Sequence, residues 1–461
     1  MSITHQAITL DQKKKILALE EGHFGDLKSI DISPSKLTKH ISSFANADGG
    51  ELYIGISENK LTGERSWQGF KNKEQANAHV QVFEKTFPLG YGFSYNFISV
   101  PDEKNIILQV EILKAQEIIY SDDKIAYLRR GAQSLPQETP EALERLRLNK
   151  GVTTFETQIV DTDPESILNS EIIIKFMLEV IPTSEPEPWL KKQQLIKDKK
   201  PTVAGLLLFS DEPQAILQKR CSIKIYRYKT PDAIGTRDTL EFDPITIEGC
   251  LYNQIELSVK KTKEIIEGLK VMGVTGLEEV RYPQETLHEI ITNAVLHRDY
   301  SILDDIHIKI FDNRIEVQSP GKLPAHITVS NILDERFARN GSIVRLINKF
   351  PNPPNKDVGE GLNTAFEAMR KLKLKVPLIE QTTSSVIVKI RHERLASPED
   401  TILEYLEKNP SINNRTARSL CYIGSENRMK SIFIRLMKAG KIERIPELQG
   451  SNAAYRKMIS N

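Results

Sequence analysis

The spacing of apolar positions changes several times along the chain, and each change marks an element. Lys36 to Phe44 carries apolar side chains at helical spacing and runs into Asn46-Ala-Asp-Gly49-Gly50, a strong turn signal. Leu52 to Ile56 follows as a buried strand, so the local order is helix, tight turn, strand. The pattern predicts further strands at Gly92–Val100, Ile106–Ile112 and Ala126–Gly131, the last running into a basic loop, and a helix at Glu141–Leu148. These close a first domain over 1–150. Asp161–Pro201 is helical but interrupted by Pro182, Pro186 and Pro188, and reads as the start of a connector over 151–275. Within it, Val203–Phe209 and Cys221–Tyr228 are predicted as strands, followed by a long helix from about Thr246 to Leu269. A third section, 276–395, reads as helix Gln284–His297, strands Ile306–Phe311 and Arg314–Gln318, a Ser-Pro-Gly turn, helix Gly359–Lys371 and strand Ser385–Arg391. Ser397-Pro398 marks the boundary of a last section, 396–461. There is no internal repeat, and the fold class is α+β, multidomain.

Composition narrows the class of protein. The chain has 461 residues, too many for one ordinary core, with 39% hydrophobic and 27% charged residues, as in soluble globular proteins. Net charge is +1, so affinity for nucleic acid has to come from local basic patches. Cys221, Cys250 and Cys421 form no CxxC pair and no zinc spacing, which is the usage of reduced thiols in a cytoplasmic protein. The N-terminus lacks the basic and apolar regions of a signal peptide, and Val203–Phe209, the longest apolar run, is too short to span a bilayer, so no membrane partner is expected.

Chemistry concentrates in the third section. On helix Gln284–His297 the residues Leu287, Ile290, Ile291, Ala294 and Val295 form an apolar face, and Glu289 and Asn293 stand four apart, one turn above each other. A carboxylate and a carboxamide so placed suit one task, in which the amide oxygen holds Mg²⁺ among phosphates and the carboxylate polarises a water. Surface helices also carry such a pair by chance, so the pair needs support. Ser319-Pro-Gly321 ends a strand in a sharp turn where Gly321 permits close backbone approach, and Gly359-Glu-Gly361-Leu362 opens a helix whose free N–H groups suit phosphate. Similar-looking motifs fail. His297-Arg298-Asp299 lacks the asparagine of a kinase catalytic loop, His288-Glu289 lacks the second zincin histidine (Thr292 stands there), and no P-loop occurs.

The order Glu289…Asn293-Ala-x-x-His297-Arg298-Asp299-Tyr300…Arg314-Ile-Glu-x-x-Ser319-Pro-Gly321…Arg339-Asn340…Gly359-x-Gly361 resembles the GHKL (Bergerat-type) ATPase-like domain of RecG-related C-terminal regions. The resemblance implies an α/β sandwich holding ATP. Glu289 would be the general base, Asn293 the Mg²⁺ ligand, and Gly359, Gly361 and Leu362 the phosphate lid. The family's adenine-reading Asp-x-Gly-x-Gly motif has no full match, and Ser319-Pro-Gly321 stands in its place. His297 and Arg298 are either phosphate contacts or a helix-end cap with a salt bridge to Asp299 or Asp304.

Glu21-Gly-His-Phe-Gly-Asp26-Leu-Lys28 and Phe44-Ala-Asn46-Ala-Asp-Gly49-Gly50-Glu-Leu-Tyr-Ile54-Gly55, with Tyr127-Leu-Arg129-Arg130-Gly131-Ala-x-Ser134, resemble the Schlafen/AlbA-type domain. That resemblance implies nucleic-acid binding, DNA or RNA, and in some members metal-dependent cleavage by carboxylates and a lysine. Here those positions are Glu21, Asp26, Lys28 and Glu58, with Glu21 and Asp26 the candidate ligands of Mg²⁺ or Mn²⁺. Arg129 and Arg130 beside Gly131 read as phosphate contacts, with a solvated loop as the alternative. Asn46, Gly49 and Gly50 read as structural, shaping the helix-to-strand turn.

In the last section, helices at Glu399–Lys408, Arg415–Leu420 and Ser425–Lys438, then strands Lys441–Ile445 and Ala454–Met458 around Gly450, give the order of a winged helix. Asn427, Arg428, Lys430 and Arg435 on the third helix suit base edges, and Lys441 and Arg456 suit phosphates, with DNA favoured over a protein partner. Three functional classes follow. The first is an ATP-binding, nucleic-acid-binding regulator in which the GHKL-like domain controls its flanking modules. The second is a Schlafen-like metal-dependent nuclease acting in phage defence. The third is a non-catalytic dimeric scaffold, a homodimer being common for such proteins.

Overall fold

A computed structural model describes residues 4–59, 61–87, 91–217, 221–273, 276–279, 282–354, 361–372, 374–391, 398–421, 423, 425–446, 448 and 453–458. The chain divides into two compact units: residues 1–369 with 376–391, and residues 370–375 with 392–461.

The first unit opens on a mixed sheet. Its strands are β1 (Thr4–Ala7), β2 (Gly25–Lys28), β3 (Gly50–Ile54), β4 (Phe93–Ser99) and β5 (Ile107–Ile112), in the order β1-β4-β5-β3-β2. Pairs β1–β4 and β2–β3 are parallel, and β4–β5 and β3–β5 antiparallel. Both faces are covered, and the strand period of two shows directly. Leu52 and Ile54 pack with Leu37, Ile41 and Phe44 on one face, while Tyr53 packs with Leu27 and Trp67 on the other. Helix α1 (Pro34–Asn46) supplies that first cluster. Ser33 caps it by accepting from the Lys36 N–H, and Pro34 fills the first turn, where a missing N–H costs nothing. Gly50 follows because a Cβ there would lie 2.6 Å from the Phe44 ring, at a φ of +155°.

Two strands, β6 (Tyr127–Arg130) and β7 (Gln133–Pro136), form a hairpin against α1, and helix α2 (Pro140–Lys150) leads out of this layer. The proline-interrupted stretch holds short helices at Glu165–Leu168, Glu171–Val180 and Pro186–Lys192. Val203–Phe209 is helix α3, not the expected strand, with every residue buried. A segment apolar on all sides carries no period, so the pattern could not separate strand from helix, and the Thr202 cap on the Gly205 N–H decides it.

A six-stranded sheet forms the second layer. Its strands are β8 (Ile223–Arg227), β9 (Ile245–Ile247), β10 (Ile306–Ile310), β11 (Arg314–Pro320), β12 (Leu378–Gln381) and β13 (Ser385–Arg391), in the order β9-β8-β10-β11-β13-β12. Strands β8 and β9 come from the section read as connector, so this sheet crosses the boundary drawn at residue 276. The predicted start of the long helix at Thr246 is also corrected. Ile245–Ile247 pairs with β8, and helix α4 runs Leu251–Glu267 from the end of that edge strand. Helix α5 (Gln284–Leu296) packs on α4 and β11, and helix α6 spans Gly361–Lys371.

The second unit holds helices α7 (Pro398–Lys408), α8 (Asn414–Leu420) and α9 (Glu426–Lys438), with strands β14 (Ile412–Asn413), β15 (Ile442–Arg444) and β16 (Ala454–Lys457) in the order β14-β16-β15. Ile402, Met429, Phe433 and Ile442 are central to its core, and Phe433 stacks on Tyr455 at 4.0 Å. Among the described residues no helix is long and apolar enough to cross a membrane.

Candidate functional site

Helix α5 presents Glu289, Asn293 and His297 along one line, each one turn beyond the last, and all three line a cavity of about 280 Å³. Val317 and Ser319 of β11, Ile379 of β12, and Val386 and Val388 of β13 complete the sheet side. A segment running from Gly321 to Ala338 walls it opposite, and Gly361, Leu362 and Asn363 at the start of α6 close one end. The sequence pattern therefore brings together Glu289, Asn293, His297, Ser319, Gly321, Gly361 and Leu362. Gly359 lies outside the described residues, as does Gly450.

Asn293 Nδ2 donates to Glu289 Oε1 at 2.8 Å, which turns the amide oxygen, the atom a hard cation takes, to the other side of the carboxamide. Burial raises the pKa of Glu289 above the ordinary carboxyl value, opposed by the Asn293 hydrogen bond and by His288. A Cβ on Gly361 would stand 1.8 Å from Glu289 Oε1, so the first turn of α6 sits directly against that carboxylate and a side chain there would displace it. His297 is pushed down to about 4 by burial and by the neighbouring Arg339 charge, and its Nδ1 is buried without a hydrogen-bond partner among the described residues. Ser319 donates its hydroxyl proton to the Ala294 carbonyl at 2.7 Å, tying β11 to α5. Gly321 has a φ of +107°, and a Cβ there would meet Asp299 at 2.6 Å, so its close approach is to the protein's own chain.

Arg298 is not among the residues lining the cavity. It is 1% exposed, donates to the Ile302 and Asp304 carbonyls and lies over the Tyr300 ring. Asp299 instead pairs with Arg145 at 2.7 Å and Arg339 at 3.4 Å, and Asn340 donates to the Leu296 and Arg298 carbonyls, closing the end of α5. These motif residues build the wall behind the site.

In the N-terminal layer, Asp26 is 1% exposed and surrounded by basic side chains. Lys28 bonds Oδ1, while Arg129 at 2.9 Å and His40 Nδ1 at 3.1 Å reach Oδ2. Burial alone would raise its pKa, but His40 and Lys28 outweigh it and hold Asp26 well below the usual carboxylate range. Glu21 lies 3.7 Å from Lys28, and its pKa is raised, chiefly by burial. Glu58 pairs elsewhere, with Arg65 at 2.9 Å. Asp26 thus has a cationic donor on each oxygen and the Glu21 carboxyl beside it, while Glu58 is not brought to the pair. Among the described residues no group of three His, Cys, Asp or Glu has the disposition of a metal site.

The expectation of an exposed Arg129 is corrected. Its side chain is buried, donates to the Gly22 carbonyl at 2.8 Å and lies 4.6 Å from the Phe44 ring centroid, because Asp26 needs a buried counter-charge. Arg130, next in the strand, points outward and is exposed. Asn46 is structural, donating to the Ile119 and Tyr127 carbonyls and accepting from the Ile119 N–H. In the second unit Asn427, Arg428, Lys430, Arg435, Lys441 and Arg456 are all exposed. Three of them meet acids: Lys430 with Glu426, Arg435 with Glu399, and Arg456 with Glu443. Among the described residues, Arg428 and Lys441 have no carboxylate partner.

The spacing of motifs gave no sign of two residues that matter here. Asp48, inside the glycine-rich string, pairs with His23 at 2.8 Å, Lys114 at 3.6 Å and Lys322 at 3.7 Å. Lys114 itself looked like any surface lysine, and only the fold brings it to the cavity wall.

Comparison with known proteins agrees with both local resemblances. Residues 21–138 match the family model described as "Schlafen, AlbA_2". Residues 304–390 match that described as "Putative ATP-dependent DNA helicase recG C-terminal", a HATPase-type domain. No curated protein matches the chain. Among solved structures, the DIP2311 protein from Corynebacterium diphtheriae aligns over 97% of this chain and 96% of its own, at 17% identity and a TM-score of 0.43.

Proposed function

We propose that the protein is an ATP-binding, nucleic-acid-binding regulator, in which nucleotide in the central cavity controls the modules on either side. The observation that carries this reading is the Glu289–Asn293 pair and the start of α6, set against each other in the lining of one cavity. Phosphates would lie at the α6 N-terminus, where the N–H groups of a first helical turn and the helix dipole favour negative charge. A bound Mg²⁺ would supply charge neutralisation between phosphates, and Asn293 would hold it through its amide oxygen. Glu289, desolvated and oriented by Asn293, is the group that would accept a proton from water. The apolar lining from β11, β12 and β13 suits a flat base, and Ser319 Oγ, its proton given to the Ala294 carbonyl, would accept from a base amino group.

Nucleic acid would be met by Arg130 in the N-terminal module and by Arg428 and Lys441 in the second unit, which this reading takes as a winged helix. The partner is DNA, and the homodimer is the assembly this reading favours. Fluorescence anisotropy of labelled duplex DNA, with and without ATP–Mg²⁺, tests the control directly. The expected result is a nucleotide-dependent affinity that Asn293→Ala abolishes. An affinity indifferent to ATP–Mg²⁺ in the wild-type protein contradicts it.

A further inference from the structure

The wall of the cavity opposite the sheet, residues 322–339, contains no helix or strand. Its shape must therefore be held by side chains and neighbouring segments. Leu323, Ile327, Leu333 and Phe337 face the cavity, and Asn363 at the start of α6 donates to the Leu333 carbonyl at 3.0 Å. One grip on the segment comes from the other layer. Lys114, just beyond β5, has a side chain only 7% exposed, and its Nζ donates to the Leu323 carbonyl at 2.8 Å and the Ile327 carbonyl at 3.0 Å.

Between those two carbonyls lies Ala325, buried at a φ of +51°, a conformation that L-residues with a Cβ adopt only when their surroundings impose it. Asp48 holds the lysine from the far side, accepts from Gln381 Nε2 at 3.2 Å, and Gln381 Oε1 in turn accepts from the Leu323 N–H at 2.8 Å. Helix α2 adds a second link. A Cβ on Gly151 at its end would lie 2.5 Å from the ring of Phe337, and Lys150 donates to the Ala45 carbonyl at 2.6 Å in the glycine-rich motif region.

We propose that Lys114 is a positioning residue for the central cavity. From the N-terminal layer it fixes the 322–339 wall, so that a ligand in the cavity and the packing around Asp48 and Lys114 each stabilise the other. This rests on the nucleotide reading for the identity of the ligand, but the clamp itself does not. Coupling of this kind is reciprocal, since whatever tightens the wall for the ligand is tightened by it.

The test uses the full chain as wild type, Lys114→Met and Lys114→Arg, with amide hydrogen exchange and titration with ATP–Mg²⁺. Lys114→Met is expected to speed exchange across 322–339 without ligand and to weaken ATP–Mg²⁺ binding at least tenfold, and Lys114→Arg to recover most of both. ATP–Mg²⁺ is expected to slow exchange in wild type at 45–50 and 112–116, remote from the cavity, as well as at 322–339. A folded Lys114→Met protein with unchanged affinity and unchanged exchange overturns the proposal. Should Lys114→Met not fold, the wild-type arm decides: binding without protection at 45–50 and 112–116 overturns it. Should wild type bind no ATP–Mg²⁺, the nucleotide reading fails, and ligand-free exchange of 322–339 in Lys114→Met decides the clamp alone.

Discussion

At the scale of single residues, Gly361 stands in close approach to the Glu289 carboxylate. Gly361→Ala places a methyl group where the carboxylate stands, and α6 or Glu289 has to move. The expected outcome is nucleotide affinity at least tenfold weaker, about 1.4 kcal/mol, with thermal stability nearly unchanged, read by titration and calorimetric unfolding. Asp26 belongs to folding instead. Asp26→Asn leaves Arg129 buried without its counter-charge, and about 3–5 kcal/mol of unfolding free energy should be lost in urea titration. His297 gives a pH signature. Its folded pKa of about 4 lies below an unfolded value of roughly 6.5, so the unfolded chain binds the extra proton between them. The stability His297 contributes is complete above the unfolded value and is lost as pH falls toward 4. Comparing wild type with His297→Asn between pH 7 and 4 should show a shallower decline in the variant, and parallel curves would refute the assignment.

At the scale of elements, legibility followed periodicity. Helix α5 and strands β10, β11 and β13 were readable because each buries one face or a short run between clear turns, and their candidate residues Glu289, Asn293 and Ser319 arrive together as the motif order implied. Helix α3 carries no period that separates it from a strand, because it is buried on all sides. Its interior position is testable, since Leu207→Ala should cost about 2–5 kcal/mol in unfolding experiments, as for any fully buried large side chain cut to a methyl. Arg129 was misread for a related reason. A Tyr-Leu-Arg-Arg strand end gives no sign of which arginine turns inward, and only the position of Asp26 on the neighbouring five-stranded sheet fixes it. Lys114 and the wall it holds were invisible because the segment has no period at all, and its partners lie 209 and 213 residues away in sequence.

At the scale of the molecule, the two matched families occupy one compact unit, joined by Lys114, Asp48 and helix α2. In the N-terminal layer Asp26 pairs with Lys28 and Arg129 and Asp48 with Lys114, and the central layer carries the cavity. Everything proposed about control depends on that cavity holding a nucleotide. Isothermal titration of the full chain with ATP–Mg²⁺, beside Asn293→Ala at matched stability, measures this most directly. The expected result is saturable heat at one site per chain, lost in the variant. No heat from the wild-type protein, or the same heat from both, would contradict the account.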